Sequence, residues 1–143
     1  MSLPYFTRTE TVRFAHIDFA GIVFYPRFLE MLNGLVEDWF ADGLHAPFSE
    51  MHQSHGIPTV NLQVQFKSPA RLGEVLTKKI GIKQLKSSSM ICAFIFENES
   101  GNLVLEGEVT LVYVAISPDR QTIQSSPFSE PFRQLLSTYL LES

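Results

Sequence analysis

The residues best suited to chemistry lie in one short run, Phe14-Ala-His-Ile-Asp-Phe-Ala-Gly-Ile-Val-Phe-Tyr-Pro-Arg27. Asp18 stands a few residues ahead of an apolar stretch with helical spacing, and Gly21 lets the backbone turn sharply and a ligand approach closely. The N–H groups of a helix's first turn lack partners within the helix and carry partial positive charge. A carboxylate that attacks a carbonyl or activates water, set beside amides that stabilise the resulting oxyanion, supplies the two halves of an acyl-transfer site. The bland use of D-x-x-G before a helix is to cap the turn or the helix, and on spacing alone that use is the commoner one. His16, two residues before Asp18, shares a face with it if the segment is extended, and could orient a substrate or water.

Other candidates are weaker. His52 and His55 have i, i+3 spacing and His45 lies nearby, but neither a third ligand at a characteristic spacing nor a cysteine partner accompanies them, so no metal is expected. Cys92 lies within the apolar run Met90-Ile-Cys-Ala-Phe-Ile-Phe96, where a thiol is normally inert. Ser87-Ser88-Ser89 serves as a turn or as hydroxyl donors to a ligand. Neither a phosphate-cradling G-x-x-x-x-G-K-[ST] nor a dinucleotide-binding G-x-G-x-x-G occurs.

The elements that must hold Asp18 are legible in the periodicities. Residues 5–14 read as a first strand, rich in β-formers. Pro26 suits the first turn of a helix, and Phe28, Leu32, Leu35, Val36, Trp39 and Phe40 continue it to about Ala41, with Gly43 as its stop. A short polar helix is expected around Phe48–His55. Val60, Leu62, Val64 and Phe66 alternate with polar residues as a half-buried strand. Strands over Val75–Lys83, Met90–Phe96 and Val104–Ile116 follow, the middle one apolar enough to be covered on both sides, with a hairpin turn at Glu99–Asn102. A last helix spans Phe132–Leu141. Strand, long apolar helix and four consecutive antiparallel strands make one α+β domain, a helix laid on a curled sheet. The edges of such a sheet invite pairing with a second copy.

The 143 residues fit one domain, and 45% hydrophobic with 18% charged residues rules out disorder and a coiled coil. A lone cysteine and the start Met1-Ser-Leu-Pro, without a basic and apolar leader, favour a cytoplasmic setting, and no apolar run is long enough for a membrane span. The net charge of -4 is unevenly spread: residues 1–66 carry -4, residues 67–86 carry +5 and residues 87–143 carry -5. So acidic a chain is not expected to bind nucleic acid, but the local basic stretch suits a small polyphosphate ligand, or is simply a solvated strand face.

The run Ile17-Asp-Phe-Ala-Gly-Ile-Val-Phe-Tyr-Pro-Arg-Phe, followed by an aromatic-rich helix ending Glu37-Asp-Trp-Phe, resembles the hotdog-fold acyl-CoA thioesterases of the 4-hydroxybenzoyl-CoA type. The similarity continues through Gly56-Ile-Pro58, Phe66, Ala70, Val75-Leu-Thr77 and Ile82-Lys83, most of the chain. It implies a hotdog fold, a homodimer with sites at the subunit interface that assembles further to a homotetramer, an acyl-CoA substrate and no separate cofactor. By position, Asp18 matches the family's catalytic carboxylate, and Gly21, Ile22, Val23, Phe24 and Tyr25 match the segment whose amides polarise the thioester carbonyl. Lys86, Ser87 and Ser88 fall where that family holds the nucleotide phosphates, with only Lys86 keeping a charge; Lys67 and Arg71 are further phosphate candidates. His16 stands where relatives often carry an acid.

A thioester suits such sparse machinery. Its thiolate leaves with a conjugate-acid pKa near ~8.5, so little general-acid help is needed. The expected activity is hydrolysis of an aromatic or short- to medium-chain acyl-CoA. The alternatives are a hydratase or dehydratase of acyl thioesters, with His16 as the base, and a non-catalytic acyl-CoA-binding subunit.

Overall fold

In the computed structural model, which describes residues 3–141, the elements in chain order are β1 (Phe6–Thr11), α1 (Tyr25–Asp38), α2 (Phe48–Met51), β2 (His55–Gly56), β3 (Thr59–Phe66), β4 (Val75–Leu85), β5 (Ser89–Glu97), β6 (Leu103–Val112), β7 (Val114–Ile116), β8 (Ile123–Ser125) and α3 (Glu130–Ser137). α1 forms where the apolar spacing requires it and buries Phe28, Met31, Leu32, Leu35 and Val36. Pro26 sits in its first turn, where a missing N–H costs nothing. Past Asp38 the helix widens into a single π-turn, Trp39–Gly43, closed by the Leu44 N–H donating to the Trp39 carbonyl at 2.9 Å. That widening turns Trp39 and Phe40 fully into the core. At roughly 1.5–3 kcal/mol per fully buried large side chain, this stripe is the main anchor of the helix.

Five strands form one antiparallel sheet in the order β1-β4-β5-β6-β3. Its concave face presents Leu76, Ile80, Met90, Cys92, Phe94, Phe96, Val109 and Leu111, all essentially inaccessible, to α1. This is the expected α+β hotdog architecture, a curled sheet around one long helix. A small second sheet, β2-β7-β8, forms because the expected long last strand breaks at Tyr113, whose N–H is drawn to the Ser88 carbonyl at 2.7 Å.

Three expectations about strands are corrected. The four strands are not neighbours in sequence order: β3 pairs with β6, with Leu62 opposite Val109, and lies at the far edge. The Ser68–Gly73 connection causes this. Val23 N–H donates to the Ala70 carbonyl and Gly73 N–H to the Val12 carbonyl, so β4 starts beside β1. As an edge strand, β3 is exposed along most of its length rather than half-buried, with Val60 61%, Leu62 38% and Phe66 48% accessible. β5 is covered fully on one face only. Its outward Ile91, Ala93 and Ile95 stay half-buried beside the outer-face ion pairs Lys79–Glu97 at 2.9 Å and Lys83–Glu108 at 2.5 Å.

Smaller differences lie at element ends. The first strand stops at Thr11 because the chain turns at Phe14–His16, and α2 is one turn long. α3 begins two residues before the expected Phe132, because Ser129 caps it by accepting the Phe132 N–H and Pro131 fits its first turn, and it ends at Ser137.

Candidate active site

The loop between β1 and α1 is built by its own backbone. Phe14–His16 is a single 3-10 turn, so the segment is not extended and the shared-face expectation for His16 and Asp18 fails there. Ile17 then pairs with Val23 and closes a tight loop. Within it the Asp18 N–H donates to the Ile22 carbonyl at 3.0 Å, and the Gly21 N–H returns to the Asp18 carbonyl at 3.0 Å. Gly21 has φ +81°, a conformation that a residue with a Cβ resists.

The Asp18 carboxylate divides its labour. Oδ1 accepts the Ala20 N–H at 2.8 Å, a turn cap, while Oδ2 has no hydrogen-bond partner among the described residues. It does not cap α1, whose cap position is Phe24 and which has no side-chain cap. The capping and chemical roles left open by the spacing are therefore compatible, one per oxygen. The carboxylate is half-buried.

Of the amides running into the helix, most are already used. Val23 N–H donates to Ala70, Phe24 N–H to the His16 carbonyl at 3.0 Å, and Arg27 N–H back to Phe24 at 2.8 Å, while Pro26 has no N–H. The Tyr25 N–H is left as the helix's first free donor, with no partner among the described residues. This donor lies at the positive end of the helix dipole. The Phe24 and Tyr25 rings meet edge to face at 5.7 Å, and Tyr25 packs on Phe66 of β3 at 6.2 Å.

Two hollows open in succession between α1 and the exposed β3 edge. The smaller, about 290 Å³, is lined by Ile22, Val23, Tyr25, Phe28, Phe66 and Lys67 and lies at the helix start. The larger, about 530 Å³, follows one turn on and is walled by Leu29, Leu32, Val36, Leu62 and Leu111, with Asn33 and His52 among its few polar side chains. Asp18, Phe24, His16 and Gly21 line neither hollow, and Ile22, Val23 and Tyr25 line the first. Asn33 escaped the sequence reading, and His52 entered it only as a metal candidate, because no local pattern tells which side chains will border an unfilled groove.

The basic stretch resolves into two groups. Lys79 and Lys83 are paired on the outer face, and Lys78 is buried against Glu10 at 2.7 Å. Lys67, Arg71 and Lys86 are exposed and have no carboxylate ion-pair partner among the described residues. Arg71 pairs through its backbone with Ile22, and Lys67 borders the first hollow, so both stand at the Asp18 end of the sheet. Lys86, Ser87 and Ser88 form the β4–β5 turn at the opposite end, about 35 Å away along the eleven residues of β4.

The remaining candidates are structural in their contacts. The His55 ring stacks on Tyr113 at 4.8 Å and the His52 ring meets Phe48 at 4.9 Å. No cluster of three or more His, Cys, Asp or Glu side chains suited to a metal occurs among the described residues. Burial pushes the Cys92 thiol far up from its ordinary pKa, which leaves it un-ionised and unreactive. No helix among the described residues is long and apolar enough to cross a membrane.

The profile of the Thioesterase-like superfamily matches residues 12–136. The chain belongs to this superfamily. The 1,4-dihydroxy-2-naphthoyl-CoA hydrolase of Synechocystis sp. is 26% identical over 131 residues, covering 90% of this chain and 91% of that protein. The crystal structure of the 1,4-dihydroxy-2-naphthoyl-CoA thioesterase from Synechocystis superposes with a TM-score of 0.81 at 24% identity, over 93% of this chain and 96% of the other. The 4-hydroxybenzoyl CoA thioesterase from Pseudomonas sp. strain CBS-3 superposes with a TM-score of 0.81 at 21% identity, over 92% and 98%. Within this superfamily the domain has a hotdog fold with its candidate carboxylate on the loop into the central helix.

Proposed function

We propose that the chain is an acyl-CoA thioesterase that hydrolyses an aromatic or short- to medium-chain acyl-CoA, with Asp18 as nucleophile or general base and the Tyr25 N–H as oxyanion donor. The observation that carries this is the coexistence, on one loop, of a carboxylate oxygen and a helix-terminal amide that the fold leaves without partners. The thioester carbonyl oxygen points to the Tyr25 N–H and Asp18 delivers itself or a water to the carbonyl carbon. The tetrahedral intermediate then expels the coenzyme A thiolate, a good leaving group that needs no dedicated acid. Attack by water gives the free acid directly, with the water's proton taken by Asp18 and passed to the thiolate. Attack by Asp18 instead leaves an acyl anhydride that a water hydrolyses to the free acid and the restored carboxylate. The acyl group occupies the apolar groove between α1 and β3, whose larger hollow of about 530 Å³ falls within the usual ligand-pocket range of ~300–1,000 Å³. No separate cofactor enters the reaction.

The same reading requires a second copy. The groove is open along β3, where Val60, Leu62 and Phe66 are exposed. Antiparallel pairing of two β3 edges about a twofold axis covers it. The same symmetry lays the Lys86–Ser88 turn of one protomer beside the Asp18 end of its partner, although the two are remote within one chain. Lys67 and Arg71 from one protomer and Lys86 with Ser87 and Ser88 from the other then flank the coenzyme A phosphates. A reducing cytoplasm is the setting proposed for this enzyme.

Neither alternative activity draws equal support. A hydratase needs a free basic nitrogen, and the His16 Nδ1 already accepts the Arg13 N–H at 2.8 Å. A pure binder has no use for an unpartnered carboxylate oxygen beside the acyl carbonyl.

Thiol release from benzoyl-, naphthoyl-, hexanoyl- and palmitoyl-CoA tests the reading. Turnover with at least one of the first three is expected; no free thiol from any of them, alongside tight acyl-CoA binding, would return the protein to the binding class. Exposed phosphate contacts are weak and salt-screened, so Lys67→Ala combined with Arg71→Ala should raise KM about three- to tenfold at low salt with kcat nearly unchanged. Measurement of KM at two ionic strengths checks this: an unchanged KM removes both residues from coenzyme A recognition.

A further inference from the structure

Lys78 is 3% exposed and lies on the inward face of β4 between Leu76 and Ile80, both fully buried. Its Nζ donates to Glu10 Oε1 of β1 at 2.7 Å and to the Met31 carbonyl in the middle of α1 at 3.2 Å. The other oxygen, Glu10 Oε2, lies 3.7 Å from His16 Nε2. The Arg13 N–H donates to His16 Nδ1, which places the ring's own proton on Nε2, facing that carboxylate. The His16 carbonyl in turn accepts the Phe24 N–H, the residue that caps α1 and immediately precedes the free Tyr25 amide. Arg8, directly opposite Lys78 on β1, is turned away to Asp42 at 2.6 Å, so Glu10 is the carboxylate that compensates the buried ammonium.

A buried ion pair is a weak source of stability, since apolar residues of like volume often replace one without loss. What this pair does supply is a fixed geometry. Hydrogen bonds join the middle of α1 and two strands at one point, and the 3-10 turn packs against that point through the His16 ring, so both ends of the loop that carries Asp18 meet it. Resting on the hydrolase reading above, we propose that Lys78 and Glu10 are positioning residues: through His16 they hold the Asp18 loop and the Tyr25 amide in register with each other.

The experiment compares Lys78→Met, Glu10→Gln and the double variant with the wild type, by thermal melting, kcat and KM for the best acyl-CoA, and amide hydrogen exchange. Glu10→Gln strands the buried Lys78 ammonium and should melt lower, while Lys78→Met leaves Glu10, which is part-exposed, and should melt closer to the wild type; both should turn over more slowly. The double variant removes both charges and should melt near the wild-type temperature. Its kcat should remain reduced on the order of tenfold, with KM within about twofold, because the loop is misplaced rather than unfolded. Gly21 and Phe24 amides should exchange on the order of tenfold faster in it while β4 and β5 amides keep their protection. Recovery of kcat together with the melting temperature would show that the pair only fills the core, and overturns the proposal. Unchanged exchange at Gly21 and Phe24 overturns it too, and that readout holds even for a wild type that releases no thiol, so the failure of the hydrolase reading is recognised separately.

Discussion

Asp18→Asn is expected to lower kcat by about 10³-fold while leaving the melting temperature within a few degrees of the wild type. The substitution is well matched to the loop. Asp18 Oδ1 accepts the Ala20 N–H at 2.8 Å, and an amide oxygen accepts that proton as well, so the turn is kept. What is lost is the second oxygen, Oδ2, which the fold leaves unpartnered. Asparagine puts an amide NH₂ in its place, with neither the nucleophilicity nor the basicity to attack or to take a proton from water. Some residual rate is expected to survive, because the Tyr25 N–H still meets the oxyanion, and an oxyanion donor contributes about 3–4 kcal/mol. Single-turnover measurement with the best acyl-CoA, alongside circular dichroism and a binding titration, separates the outcomes. A variant that binds substrate, keeps its fold and retains more than about a tenth of wild-type turnover would exclude Asp18 from the chemistry. A variant that fails to bind would mean that the carboxylate orders the loop rather than reacts.

How much of this was legible before folding depends on what kind of information each feature needs. α1 was visible because Phe28, Leu32, Leu35 and Val36 recur at the helical period, and all are buried. The loop chemistry was visible in type and order, but not in its division of labour. Which amide stays free depends on Ala70 and the His16 carbonyl claiming the neighbours, and those contacts come from a distant connection and from a 3-10 turn. Alternation likewise showed which residues of β3 share a face, but not whether anything covers that face. That depends on strand order, and strand order is set by the Ser68–Gly73 connection running along the loop that carries Asp18. The charge run misled most. Lys78 falls within the basic stretch read as a polyphosphate patch or a solvated strand face, yet its place in the alternation Leu76, Lys78, Ile80 puts it on the inward face, a local signal that sets it apart. Glu10, its partner, lies 68 residues away in sequence, beyond the reach of any local pattern.

The exposed β3 edge gives the second large effect. Leu62→Lys is expected to convert the proposed dimer or higher oligomer to a monomer and to reduce kcat/KM in proportion to the dimer lost. Leu62 is 38% accessible in the single chain, so a lysine there can reach solvent and the protomer itself should fold. In the paired assembly the same residue would be enclosed between two edges and the groove, where an unpaired ammonium is strongly disfavoured; an inward charge on an edge strand is also how natural sheets block pairing. Two protomers joined along β3 and across the groove need to bury on the order of 1,200–2,000 Å² to be stable, and Val60, Leu62 and Phe66 supply an apolar centre for it. On the two-copy proposal activity should follow assembly, because a single chain leaves the groove between α1 and β3 open and holds its Lys86–Ser88 turn at the end of the sheet remote from Asp18. Sedimentation velocity and hydrolysis measured over the same protein concentrations give the check. A wild type that is monomeric at micromolar concentration yet fully active would overturn the two-copy site, as would a monomeric Leu62→Lys protein with undiminished kcat/KM. A variant that stays dimeric would move the interface away from β3, and the groove between α1 and β3 would then have to close by some other contact.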